Sequence, residues 1–236
     1  MRTERTQAGA PAPCDQVQVG QVILIHGDIY RAIAAAEGAT LVTADPPWVY
    51  QNTGSVATGR FKGAAKAAYT CQRIVQIADV LNAAYLVAAP NAYLLMWWTW
   101  PQFPAVAQLL ELLRWRHLTG GAWGKEGALG IGFHTRGQSE PWMLLAKGRP
   151  NPVRRNFRNF DTAPRPKGHS AKPEALLNDM VTAWCPEGGT VLSLWSGSFP
   201  EGRACLTTGR LCVGAEVNRP RFDDAVSRLR AAVEVK

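Results

Sequence analysis

The stretch TADPPWVYQNTG, residues 43–54, constrains the fold more than any other part of the chain. It follows the apolar run Ala39-Thr40-Leu41-Val42, which has the composition of a buried strand. Pro46 and Pro47 stop a sheet ladder there, because the proline ring fixes φ and supplies no N–H. The strand must therefore end in a stiff, non-helical turn that carries one carboxylate, Asp45, and one indole, Trp48, at the rim of a sheet. In open α/β proteins that rim is where ligands bind. A plain structural role fits the same residues: Asp45 capping the turn, the prolines ending a strand, and Trp48 entering the core.

Around this corner, short β-rich runs alternate with helical patterns, the layout of a doubly wound sheet. Seven strands are expected at residues 22–26, 40–44, 92–98, 118–124, 141–147, 191–195 and 211–216, and amphipathic helices over 103–116, 173–185 and 220–235. A chain of 236 residues, 47% hydrophobic, suits one α/β domain. Composition assigns residues 1–20 to a polar, disordered tail and 21–236 to that domain. The tail lacks the apolar block of a signal peptide, and the most apolar window, AAYLVAAPNAYLLMWW, is broken by Pro90 and Asn91, so no membrane span is expected. The five cysteines form no CxxC pair, and neither they nor the four histidines have metal spacing. A reduced compartment and no bound metal are expected.

The formal charge of +8, from 26 Lys and Arg against 18 Asp and Glu, points to an anionic partner. The stretch GRPNPVRRNFRNFDTAPRPKGHSAK interleaves Arg154, Arg155, Arg158 and Lys167 with Phe157 and Phe160. Guanidinium groups bind phosphates in pairs of hydrogen bonds and aromatic rings stack on bases, which makes these residues candidate nucleic-acid contacts. The alternative is a solvated basic loop with its two phenylalanines tucked onto the core. Towards the carboxyl end, GGTVLSLWSGSFPEGRACLTTGRLCVGAEVN reads as strand, glycine turn, helix and strand. Such a unit brings Ser196 and Gly197 to one strand tip and Glu216 to the next, where a carboxylate accepts from ribose hydroxyls. The turn lacks the GxGxxG spacing that admits a pyrophosphate, which favours a nucleoside cofactor without phosphates, S-adenosylmethionine. Joined to that cofactor, the proline corner suits methyl transfer to an exocyclic amine. Asp45 and the Pro46 carbonyl each accept one N–H and free the nitrogen lone pair, while Trp48 offers a flat face to the target base.

Several landmarks occur in sequence: HGDI, ADPPW, LLMWWTW, WGKEGALGIGFHTRGQSEPWMLLAKGRP, GHSAKPEAL and LSLWSG, within residues 25–218. Together they resemble the adenine-N6 methyltransferase family with the DPPW motif, which includes the eukaryotic mRNA adenosine methyltransferase and bacterial and phage DNA enzymes. The resemblance implies a Rossmann-like methyltransferase fold, an α/β architecture with a seven-stranded, mostly parallel sheet, helices on both faces, and a permuted order with the catalytic motif before the cofactor motif. It maps Asp45, Pro46, Pro47 and Trp48 onto the catalytic tetrad and places Asp45, with Ser196 and Gly197, among the cofactor contacts as well. Asp28 and Ile29 map onto the pair that holds the cofactor's adenine, Lys172 onto a lysine between the cofactor carboxylate and the catalytic loop, and Glu216 onto the ribose contact. The segments after Trp48 and after Gly148 correspond to the family's target-base loops. Two departures fall in the cofactor pocket: Ser196-Gly197 stands where relatives often have arginine, and Gly214-Ala215-Glu216 where they often have Gly-Asn and an acid or amide.

The expected activity is S-adenosylmethionine-dependent methylation of adenine N6 in DNA, in the cytoplasm of a bacterial or phage-infected cell, with a homo- or heterodimer as the assembly considered. The alternatives are the same chemistry on RNA adenine or cytosine N4, and a non-catalytic nucleic-acid-binding partner subunit. The presence of Asp45 argues against the last of these.

Overall fold

The computed structural model describes residues 15–48, 72–127, 134–166 and 171–234. Within these, the chain runs β1 (Gln16–Val19), β2 (Val22–His26), α1 (Ile29–Ala35), β3 (Leu41–Ala44), α2 (Ile74–Val87), β4 (Ala92–Trp97) and α3 (Phe103–Leu112). It continues through β5 (Arg116–Glu126), β6 (Ser139–Lys147), β7 (Phe160–Pro164), α4 (Glu174–Trp184), β8 (Thr190–Leu194), α5 (Pro200–Thr208), β9 (Leu211–Glu216) and α6 (Arg219–Glu234). The strands form one sheet in the order β1-β2-β9-β8-β3-β4-β6-β5-β7.

Five central strands, β2, β9, β8, β3 and β4, are mutually parallel. The strand before the proline corner, β3, is buried at every position, as a strand covered on both faces must be. Its side chains alternate accordingly. Val42 and Ala44 pack with α1, α2 and α3 on one face, and Leu41 packs with α4, α5 and α6 on the other. From β3 the chain moves outward through α2 to β4, and from β8 it moves the opposite way through α5 to β9. The crevice between the carboxyl ends of β3 and β8 is thus a topological switch point, the place where open α/β sheets take their ligands.

All seven expected strands are present, and two more extend the sheet to nine. Residues 16–19, assigned by composition to the disordered tail, form edge strand β1 antiparallel to β2, with Val17 and Val19 packed against the core. Polar composition hid this strand because only alternate residues of an edge strand need to be apolar. The remainder of that tail, residues 1–14, lies outside the described residues. The second addition is β7, which pairs parallel with β5 inside the basic stretch. It is mostly exposed and is held by its ladder rather than by burial. Its approach depends on a bare backbone at Gly121, where a Cβ would lie 1.9 Å from the Asn159 carbonyl oxygen. The sheet is also more mixed than expected at its far side, where β6 runs antiparallel to both β4 and β5. Among the described residues no helix is long and apolar enough to cross a membrane.

Candidate active site at the switch point

The carboxyl ends of the parallel strands surround a cleft of about 970 Å³. It gathers residues far apart in sequence: Asp28 and Ile29 after β2, Asp45 to Trp48 after β3, Lys172 before α4, Ser196 and Gly197 after β8, and Glu216 at the end of β9. All the expected catalytic and cofactor positions therefore line one cavity.

At its floor the Asp45 carboxylate is shut in by protein on one side and open to the cleft on the other, its side chain 43% exposed. Oδ2 accepts from Lys172 Nζ at 2.6 Å, and the same ammonium reaches Glu140 Oε1 at 2.5 Å. Glu140 Oε2 in turn meets Lys125 Nζ at 2.7 Å. The result is a chain of alternating charge, Asp45, Lys172, Glu140, Lys125, with the Lys172 ammonium 5.1 Å from the centre of the Trp97 ring. Such a chain fixes the direction of the Asp45 carboxylate before any ligand arrives.

The charges tune one another. Burial pushes the Asp45 carboxyl above its ordinary value, a rise that the Lys172 ammonium limits without cancelling. Burial also raises Glu140, but the ammonium groups of Lys172 and Lys125 outweigh it and hold that carboxyl below its ordinary value. Burial alone would depress Lys172; Asp45 and Glu140 reverse the effect and keep it protonated. The lysine expected beside a cofactor carboxylate is thus committed to two protein acids.

The proline corner is closed by its own backbone. Trp48 N–H donates to the Pro46 carbonyl at 2.8 Å, and Gln72 N–H to the Pro47 carbonyl at 3.0 Å. A carbonyl oxygen has two lone pairs, so Pro46 keeps one for a ligand. Trp48 is 3% exposed, with its indole N–H directed at the Trp97 carbonyl at 3.4 Å, so the ring is cleft wall and core at once. Gln72 Oε1 and Thr99 Oγ1 are buried side-chain oxygens without a hydrogen-bond partner among the described residues, and both residues line the cleft.

The opposite wall is built from backbone turns. Asp28 caps α1, its Oδ1 accepting from Tyr30 N–H at 2.9 Å, and Glu216 Oε1 accepts from Asn218 N–H at 2.8 Å. Each acid keeps a second oxygen. The Ser196 hydroxyl donates to the Ser193 carbonyl at 3.1 Å and shapes the turn. Trp195, Gly197 and Phe199 all have positive φ, at 55°, 54° and 53°. Two of these are bulky residues in a conformation that L side chains rarely adopt, a strain that functional turns tolerate when the surroundings over-determine them. Here the determining contact is Phe199, fully buried between Gly202 and Gly214. A Cβ at Gly214 would stand 2.4 Å from Ser196 Oγ and 2.6 Å from the Phe199 ring. Gly214→Ala is expected to cost about 1–3 kcal/mol of stability through overpacking, read from denaturant unfolding, because it presses the turn and the ring apart.

The basic stretch divides. Arg165 lines the cleft. Arg154, Arg155 and Arg158 do not: Arg154 lies 3.5 Å from Asp179 on α4 and over the Phe157 ring, and Arg155 and Arg158 are exposed. Phe157 packs on Trp184 and Trp142, as the alternative reading expected, whereas Phe160 is 56% exposed. Lys167 lies outside the described residues. Sequence reading missed Glu140, Gln72, Thr99 and Glu201 as cleft residues. An acid opening the otherwise apolar run EPWMLLA was the one visible signal for Glu140.

The result is an open, largely parallel α/β sheet with a proline corner on one side of its switch point and a strained glycine turn on the other. No protein-family model matches the chain, and no curated protein matches it. Solved structures do. The fold is similar to that of M1.HpyAVI in its SAM complex, at 16% identity and a TM-score of 0.66 over 88% of this chain and 98% of the other. It is similar to TTHA0409 from Thermus thermophilus complexed with S-adenosyl-L-methionine, at 17% identity and a TM-score of 0.64 over 88% and 92%. It is also similar to the cytosine-N4-specific PvuII DNA methyltransferase, at 10% identity and a TM-score of 0.66 over 91% and 90%.

Proposed function

We propose that this chain is an S-adenosylmethionine-dependent methyltransferase acting on the exocyclic N6 of adenine in DNA. The observation that carries this reading is the Asp45 carboxylate, held by Lys172 with one face open to the cleft, beside the Pro46 carbonyl with its spare lone pair. The donor set opposite fits the cofactor. Asp28 and Glu216 offer carboxylate oxygens to a nucleoside at adjacent strand tips, and the turn after β8 lacks the GxGxxG spacing that admits a pyrophosphate. When bound, S-adenosylmethionine supplies an electrophilic methyl group.

The remaining work belongs to the chain. The lone pair of an exocyclic amine is delocalised into its ring, so the nitrogen is a poor nucleophile. Asp45 accepts one N–H and the Pro46 carbonyl the other, which draws the nitrogen towards tetrahedral geometry and returns the lone pair to it. Because Lys172 and the two prolines fix these acceptors in advance, no reorganisation is needed as charge develops. Trp48 walls the base site, with Gln72 and Thr99 beside it in the lining of the cleft. The proton leaves to solvent after transfer, through the open side of the cleft. A target base must be out of its stack to enter a cleft of this depth.

The choice of adenine rests on the DPPW landmarks, and that of DNA on the net positive charge and on the DNA enzyme among the structural likenesses. Cytosine N4 presents the same chemical problem to the same acceptors. Mass spectrometry of nucleosides from DNA and RNA of cells expressing the protein separates these substrates. N6-methyladenine in DNA, absent with Asp45→Ala, is the expected result; N4-methylcytosine or methylated RNA would reassign the target, and no methylated nucleoside would remove the proposal.

A further inference from the structure

Glu201 is the second residue of α5, directly after the strained turn, and it lines the cleft. It is only 7% exposed, and its carboxylate has one side-chain hydrogen bond, a long one of 3.4 Å from the Ser193 hydroxyl. Of the other acids that line the cleft, Asp45 and Glu140 share Lys172, Glu140 also has Lys125, and Asp28 and Glu216 each accept from a backbone N–H. Glu174, the first residue of α4, has Arg203 from the first turn of α5 at 3.1 Å. Among the described residues no cation lies within ion-pairing distance of Glu201. A buried carboxylate without a counter-ion is costly, and one that faces a ligand cleft is matched when the ligand brings the charge. Burial accordingly pushes this carboxyl above its ordinary value, against its own helix-start hydrogen bond.

We infer that Glu201 binds the α-ammonium of the methionine half of the cofactor, an inference that rests on the function proposed above. Strand order supports it. The nucleoside acids stand at the tips of β2 and β9, and the reacting amine is held at the tip of β3. The sulfur joins three groups, the nucleoside, the transferable methyl and the amino-acid chain. With the first at β9 and the second directed at β3, the third is left to the tip of β8 between them, where Glu201 and Ser193 lie. The amino-acid chain brings one ammonium, which a single buried carboxylate neutralises, and its three N–H donors suit the carboxylate and the adjoining backbone carbonyls of the turn.

The experiment is calorimetric titration of the wild type and Glu201→Gln with S-adenosylmethionine, S-adenosylhomocysteine and 5′-methylthioadenosine. The last keeps the nucleoside and sulfur but lacks the ammonium. The variant is expected to bind the first two about 10- to 100-fold more weakly, the range for a lost hydrogen bond to a charged group, and methylthioadenosine as tightly as the wild type does. Retained methylthioadenosine binding also certifies that the variant is folded, and Glu201→Asp is expected to recover most of the loss. Equal weakening of all three ligands, or of none, overturns the inference. Weakening of S-adenosylmethionine alone would move the contact to the sulfonium and overturn it as well. A wild type that binds none of the three removes the cofactor assignment itself, which is a distinct failure.

Discussion

Asp45→Ala is expected to lower the rate of methyl transfer by about 100- to 1,000-fold while leaving the protein folded and cofactor binding within a few-fold of the wild type. The size follows from what preorganised hydrogen-bonding groups contribute when they act on developing charge in a confined site. The selectivity follows from geometry. Asp45 lies on the β3 side of the crevice, across from Asp28 and Glu216, so its removal leaves the nucleoside wall intact. Lys172 keeps Glu140 as a partner at 2.5 Å, so the truncation strands no buried charge. Asp45→Asn retains a carbonyl acceptor without the charge and is expected to fall between the two. Single-turnover transfer of a labelled methyl group to adenine-containing DNA measures the effect, with calorimetry as the binding control. Equal rates for the wild type and Asp45→Ala would show that this carboxylate serves only the salt bridge.

The residues whose chemistry is local were legible in the sequence, and those whose role depends on register were not. Pro46 and Pro47 announce a corner because proline limits the backbone wherever it stands, and apolar β3 announces a central strand because both of its faces are covered. Glu140 and Lys125 meet only because β6 folds back antiparallel on β5, which pairs Glu140 with Trp123 and sets Lys125 two residues beyond. Sequence spacing does not encode that meeting. Phe199 illustrates a second blind spot. A phenylalanine before a proline looks like an ordinary helix approach, yet it is left-handed at φ 53° because Gly202 and Gly214 vacate the space its ring fills. Those glycines carry the information, but only the folded β8-α5-β9 unit shows what they make room for. Of the arginines in the basic stretch, composition could not separate Arg165, which lines the cleft, from Arg154, which faces Asp179. Edge strand β7 decides the difference, and an exposed edge strand leaves little hydrophobic signature.

Lys172→Met is expected to be the most disruptive single change in the site, with one consequence for stability and another for the pH dependence of transfer. The ammonium is 5% exposed and neutralises two carboxylates, so its loss breaks a buried ion pair, an event that costs about 3–5 kcal/mol. The low end applies, because the Asp45 side chain opens to water and Glu140 retains Lys125 at 2.7 Å. The raised affinity of Lys172 for its proton stabilises the fold fully below the ordinary lysine value of 10.5 and fades only as pH climbs through the higher folded value. Glu140, held below its ordinary 4.5, contributes above that value and loses its contribution as pH falls through the folded one. Across the interval between 4.5 and 10.5 both contributions are therefore present, and the deficit of the variant should be largest there. In the proposed mechanism transfer needs Asp45 ionised, and burial already raises its carboxyl above the ordinary 3.8, so the acid limb of the wild-type rate profile is expected above that value. Without Lys172, burial and the Glu140 charge act on Asp45 with less opposition, and the limb must move to still higher pH. Profiles of kcat/KM against pH for the two proteins, with urea unfolding at neutral pH, test both statements. An acid limb that stays in place in Lys172→Met would mean that the lysine positions the chain without setting the charge of the group that meets the amine.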